Sequence, residues 1–133
     1  MKAVIQKVSG AETIIDGQLV SSINKGIVIF LGIAIDDNDN DIHWLINKII
    51  KLRMFNTFDN NINEVNGEVL LISQFTLQAN VLKGNRPSFI KAAKSDLAKT
   101  MYEKFLKQLN ENLNTELKSG VFAADMLINL LND

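Results

Sequence analysis

The run GIVIFLGIAI, residues 26–35, restricts the possible folds of this chain more than any other stretch. It carries no charge and is rich in β-branched Ile and Val, with no polar alternation to define a wet face. Such a segment suits a strand buried on both sides, at the centre of a sheet with material packed above and below it. It is too short to cross a bilayer as a helix. The rest of the chain must supply neighbours for it along both edges and over both faces.

Those neighbours can be read in order. AVIQKV (3–8) and ETIID (12–16) have strand character, and Asp16-Gly17 ahead of QLVSSI predicts a hairpin, because a type I′ turn needs positive φ at both central residues. After the acidic DDNDND, the residues Ile42, Leu45, Ile46, Ile49 and Leu52 recur at helical spacing. They predict an amphipathic helix over 41–53, with Asp39 to Asp41 as capping candidates and favourable negative charge at its start. A turn at Asn66-Gly67 then leads into a strand, and a second helix begins near Ser95 with Met101, Phe105 and Leu109, and further Ala98 and Leu113, toward the core. VFAADMLINLL (121–131) reads as a last strand. The order is ββββα, ββ, α, ββ. It implies an α+β (mixed α/β) fold, an antiparallel-rich sheet curled into a partial β-barrel with helices packed outside.

Composition enters as a set of exclusions. With 133 residues and 47% hydrophobic content, the chain reads as a single domain, 1–133. The absence of cysteine rules out disulfides, thiolate metal sites and a cysteine nucleophile, and it favours a reducing compartment, so a cytoplasmic location is expected. The start MKAVIQKVSG has no apolar leader segment. His43, the only histidine, falls on the first helix and has no predicted role, since imidazole catalysis needs a nucleophile within reach. No HxxxH, ExxH or cysteine cluster suggests zinc, and Asp36, Asp37, Asp39 and Asp41 lack the glycine and terminal glutamate of a calcium loop, so that loop is expected to be solvated. No GxGxxG or Walker pattern cradles a phosphate.

One feature remains. LLISQFTLQAN (70–80) sets Ser73, Gln74, Thr76 and Gln78 directly after a buried run, and residues 78–95 follow with Lys83, Arg86, Lys91 and Lys94 and no acid. The chain as a whole carries a net charge of −1, so a polyanion would have to be held by a local patch of this kind. Gly84 and Pro87 shape that stretch, and Phe89 stands among its cations, a combination found where nucleic acid is contacted. On composition alone, a strand end capping a turn is the favoured reading of the first segment, and a solvated basic loop explains the second as well as a nucleic-acid contact does.

Taken in order, MKAVIQKVSGAETIIDG, GIVIFLGI, SQFTL, KGNRPSF and ADM…ND resemble the D-aminoacyl-tRNA deacylase (D-tyrosyl-tRNA deacylase) family over residues 1 to 133. The resemblance implies hydrolysis of the ester between a D-amino acid and tRNA, with glycine mischarged on tRNA-Ala also accepted, as chirality proofreading in translation. It implies no metal or other cofactor. The expected partners are aminoacylated tRNA, bound through its 3′-terminal adenosine and acceptor stem, and a second copy of the chain; neither a membrane nor DNA is among them. Carried over by motif, Ser73, Gln74, Phe75 and Thr76 are the catalytic candidates, Ala92, Met126 and Asn132 the substrate-binding ones, and Lys83, Arg86 and Lys91 the tRNA contacts.

Two chemistries fit those positions. Thr76 could act as a nucleophile, although no base lies near it in sequence. Alternatively, main-chain N–H groups around Gln74 to Thr76 polarise the carbonyl while the 2′-hydroxyl of the RNA helps to activate water. The chain departs from the family at Lys7, where many members have Arg, and at Ala123, where Gly is common. A second family signature, Asn-x-Gly-Pro-x-Thr, supplies a cis Gly-Pro pair to the partner's pocket to exclude L-amino acids. Asn132 and Asp133 match its first two places and the 133 residues contain no Gly-Pro pair, so that motif and a final strand are expected to be missing. The alternative function is therefore a dimeric binder of the tRNA acceptor end, of the same fold, with impaired or unselective hydrolysis.

Overall fold

The computed structural model describes residues 1–133 and contains six strands and two helices: β1 (Lys2–Ile15), β2 (Gln18–Ile23), β3 (Gly26–Gly32), α1 (Asp39–Lys51), β4 (Glu68–Ser73), α2 (Ser95–Glu111), β5 (Leu117–Ser119) and β6 (Leu127–Asn132). A short 3-10 turn, Phe75–Gln78, follows β4. The hairpin forms at Asp16-Gly17, whose φ values of 49° and 76° are both in the left-handed region a type I′ turn requires.

The two short strands expected over 3–8 and 12–16 are one. Ile23 faces Ala11 and Gly26 faces Val8, so β2 and β3 keep a common register along the same edge of β1 and act as the return arm of a single long hairpin. Ser9-Gly10 does not interrupt β1; the pairing with β6 shifts register there, and a bulge absorbs the extra residue. β6 occupies the opposite edge of the C-terminal half of β1, while β4 adds to β3 and β5 to β4, both in parallel. The sheet is therefore mixed, with the order β2-β1-β3-β4-β5 and β6 attached to β1.

Burial on both faces of β3 accounts for its uninterrupted apolar sequence. Ile27, Ile29 and Leu31 point toward the helices, where with Val69 and Leu71 of β4 they meet Ile42, Ile46 and Ile49 of α1 and Met101, Phe105 and Leu109 of α2. Val28 points the other way, into a second cluster with Val8, Ala11, Ile23, Leu70 and Ile72. Ile128 and Leu130 of β6 pack on that same cluster although β6 is no neighbour of β4 in the sheet, and this contact curls the sheet into a nearly closed barrel. Each fully buried Ile or Leu contributes about 1.5–3 kcal/mol, so the two clusters supply most of the drive to fold.

Several expectations shift at the element ends. β3 stops at Gly32, and only an isolated bridge, Ala34 to Ala92, continues the line. A single strand lies between the helices instead of two, and residues 121–126 form a turn before β6. α1 is capped by Asn38, whose side chain accepts from Asn40 N while Asp41 accepts from Asn38 N. The acidic loop is less solvated than expected: the carboxylate of Asp37 is buried, pairs with the Met1 ammonium and accepts from Ala34 N at 2.6 Å. His43 is exposed on α1. No helix is long and apolar enough to cross a membrane.

Candidate active site at the end of the parallel strands

β3 and β4 run in parallel and end side by side, and the chain leaves β4 through a tightly held turn. Gln74 N donates to Leu31 O at 2.8 Å, and the buried side chain of Gln78 donates through Nε2 to Gly32 O, also at 2.8 Å. Residue 32 has to be glycine here, because a Cβ would lie 2.8 Å from Gln74 O and 2.9 Å from Leu77 Cβ. The polar residues after the buried run thus include one, Gln78, that ties the turn to β3. Leu77 N makes the first bond inside the turn, to Gln74 O, and the N–H groups of Phe75 and Thr76 precede it.

The basic loop is held against this turn. The rings of Phe75 and Phe89 meet edge to face, with centroids 5.1 Å apart, and Asn80 and Ser88 exchange backbone bonds of 2.8 and 3.0 Å. Ile35 N to Lys91 O and Ala93 N to Ile33 O, each 3.0 Å, fix the return of the loop beside the end of β3. SQFTL and GNRPSF, 11 residues apart from Ser73 to Gly84 in the sequence, are therefore neighbours in space.

Between the strand ends, the start of α2 and the segment 122–126 lies a cavity of about 460 Å³. Its walls are mostly apolar; the polar groups are Ser73, Gln74, Ser95 and Asp125, and Asp125 is the only charged residue. Gly120 admits Met126, since a Cβ there would stand 2.5 Å from Met126 Sδ. Behind Phe122, its ring 5.5 Å away, Tyr102 is buried and donates its hydroxyl to Leu71 O at 3.1 Å. Burial pushes that phenol well above its ordinary pKa, so it remains a donor. Ala123 has φ of 63°, a conformation that costs a residue with a Cβ.

Of the residues singled out in the sequence, Ser73, Gln74, Phe75 and Met126 line this cavity. Thr76 lies outside the lining and is exposed; its hydroxyl accepts a hydrogen bond from Gln74 Nε2. Ala92 immediately precedes the wall residue Ala93, and Asn132 is exposed at the end of β6. Lys83, Arg86 and Lys91 are exposed on the basic loop. Ser95, Ala98, Phe122 and Asp125 were not anticipated in the lining. Asp125 and Phe122 flank Met126 in VFAADM and could have been taken with it, whereas Ala98 has the spacing of a core residue and gave no such signal.

A nearly closed mixed barrel with two helices on its outer side is the fold of the D-aminoacyl-tRNA deacylases. A solved structure titled as a structural analysis of a probable eukaryotic D-amino acid tRNA deacylase superposes on it with a TM-score of 0.85, over 98% of this chain and 93% of that one, at 12% identity. The chain belongs to the D-Tyr-tRNA(Tyr) deacylase family, a family of hydrolases acting on ester bonds, whose profile matches residues 4–133. It is 46% identical to the D-aminoacyl-tRNA deacylase of Flavobacterium psychrophilum, an alignment that takes in 100% of this chain and 91% of that protein. A solved structure titled c-Myc DNA Unwinding Element Binding Protein is 36% identical over 100% of this chain and 93% of its own, with a TM-score of 0.96.

Proposed function

We propose that this chain hydrolyses the ester of D-aminoacyl-tRNA in the cavity at the ends of β3 and β4. The observation that carries the reading is the meeting of Ser73, Gln74 and Phe75 with the 122–126 segment around one largely apolar space. An apolar chamber with a few polar groups suits a terminal adenosine and an amino acid side chain, with the ester between them.

Main-chain catalysis is the better supported of the two chemistries. The neighbour of the Thr76 hydroxyl is the Gln74 side-chain amide, a donor that cannot take a proton from it, so nothing there activates Thr76 as a nucleophile. The N–H groups of Phe75 and Thr76 stand ahead of the first bond of the 3-10 turn, as donors to an oxyanion would. Water attacks the ester carbonyl carbon, helped by the 2′-hydroxyl of the terminal ribose, and charge develops on the carbonyl oxygen facing those donors. The bond to the ribose 3′-oxygen then breaks; that oxygen takes up a proton, and the amino acid departs as a carboxylate.

In this reading Ala92, Met126 and Asn132 border the substrate, and Lys83, Arg86 and Lys91 meet phosphates near the tRNA end. Two chains associate so that each completes the other's site, glycine esters are accepted along with D-amino acids, and the work is chirality proofreading in the cytoplasm. The exposed apolar side chains of Phe75 in the cavity wall and of Leu82 and Ile90 on the basic loop support the association, because a lone chain would leave them in water. Hydrolysis rates on D-tyrosyl-, L-tyrosyl- and glycyl-tRNA test the reading: release of D-tyrosine and glycine is expected, with discrimination against L-tyrosine much reduced, because residues 1–133 contain no Gly-Pro pair to exclude it. Tight tRNA binding without release of any amino acid would overturn it in favour of an acceptor-end binder.

A further inference from the structure

A second feature faces solvent on the outer side of α1. Trp44, Asn47, Lys48, Lys51, Leu52 and Arg53 line a shallow groove of about 370 Å³ that contains no carboxylate. Trp44 is 65% exposed, and the Lys48 ammonium stands 5.6 Å from the centre of its ring. A large aromatic left in water in the middle of a helix contributes little to the fold, and a cation held over its face is a pairing used to receive nucleic acid. Lys48 and Lys51 take part in none of the ion pairs of the chain, so no carboxylate neutralises them, and Lys48 is engaged only by the Trp44 ring. Arg53 is fixed in direction and already paired: its Nε donates to Asp59 O at 3.0 Å, and its Nη2 stands 3.9 Å from Asp59 Oδ1, so it offers less charge to a partner than the two lysines.

The adjoining loop adds an independent sign. Asn56, Thr57 and Phe58 have φ of 49°, 61° and 68°, three successive residues in a conformation that a Cβ disfavours. The strained turn leaves Phe58 75% exposed instead of burying it. Strain kept to present an aromatic to solvent calls for a use outside the core.

The topology fixes where this surface lies relative to the cavity. β3 and β4 are parallel, so α1 between them runs back from the cavity end toward the opposite end of the sheet. Its start follows Ile33, a wall residue, and the groove runs from mid-helix at Trp44 to Arg53 just past the helix end; 13 residues make the helix about 20 Å long. A tRNA with its esterified adenosine in the cavity has an unpaired 3′ end of comparable reach before its duplex begins.

We propose that this groove receives the phosphate backbone of the tRNA acceptor stem, with Lys48, Lys51 and Arg53 facing phosphates and Trp44 packed against the backbone beside them. The inference rests on the deacylase reading and adds a second point of attachment, separate from the basic loop at Lys83–Lys91. Binding of uncharged tRNA is to be measured between 50 and 200 mM salt for the natural chain and for Lys48→Gln/Lys51→Gln, with Trp44→Ala as a second, uncharged change. Loss of two phosphate contacts lowers the log-log slope by about 1.8, so the natural chain should lose about twelvefold more affinity across that range than the double variant. Trp44→Ala should weaken binding while keeping the slope. In turnover, the KM for D-tyrosyl-tRNA should rise in the double variant relative to the KM for the D-tyrosyl ester of a CCA trinucleotide, which is too short to reach the groove. Equal salt slopes for the natural chain and the double variant overturn the proposal. Failure of the natural chain to hydrolyse D-tyrosyl-tRNA would instead remove the deacylase reading, and the slopes would still decide the groove.

Discussion

Single side chains carry the sharpest tests. If the Phe75 and Thr76 N–H groups do the chemistry, Thr76→Ala should lower turnover of D-tyrosyl-tRNA by less than about tenfold, whereas loss of a nucleophile would cost several orders of magnitude. Single-turnover rates separate the two. Ala123 occupies a left-handed position in the cavity wall. Ala123→Gly should therefore raise stability by about 0.5–1 kcal/mol, the relief of the Cβ outweighing the greater freedom of glycine in the unfolded chain. An unchanged urea midpoint would show that the wall tolerates the alanine. Thr13 and Ser21 face each other across β1 and β2 with buried hydroxyls that have no partner. Thr13→Val, which keeps the shape and removes the unsatisfied group, should stabilise by about 1 kcal/mol in the same measurement.

At the scale of elements, the support behind the cavity is open to titration. Tyr102 ties α2 to β4 through Leu71 O, and burial raises its pKa above the ordinary 10. The folded chain therefore holds the phenolic proton more tightly than the unfolded one. The stability this contributes is fully present below pH 10 and declines as the pH rises above it. Relative to Tyr102→Phe, the natural chain should lose stability in that alkaline range, and parallel curves from pH 8 to 11 would contradict this. Elements were also where the sequence was most and least legible. The central strand, the Asp16-Gly17 hairpin and both helices could be read because each rests on a local rule of period or turn chemistry. The union of the two N-terminal strands could not, since Ser9-Gly10 looks like a break and becomes a bulge only once β6 lies alongside. The site was legible in part for the same reason: SQFTL stood out by its polarity after a buried run, while Ser95 and Ala98 join the cavity only through the packing of α2.

For the molecule as a whole, the exposed apolar side chains of Phe75 in the cavity wall and of Leu82 and Ile90 on the basic loop predict association. Light scattering at micromolar concentration should give twice the mass of the chain, and a monomer under those conditions would remove the shared-site reading. Neutralising Lys83, Arg86 and Lys91 together should lower the salt slope of tRNA binding by about 2–3, at about 0.7–0.9 for each phosphate contact. An unchanged slope would move the contact with the RNA end away from the basic loop.

The pairing of β6 with the C-terminal half of β1 has a consequence for how the protein is made. The long hairpin β1–β3 is local and can form as soon as it leaves the ribosome, whereas β6 is synthesised long after it and closes back against β1. Until it does, the outer edge of β1 is an open row of N–H and C=O groups beside an uncovered apolar cluster, the kind of edge on which other chains add. Nascent or truncated chains ending before Leu127 should consequently depend on a chaperone for solubility and lack the 460 Å³ cavity, one wall of which is held by the same closing strand.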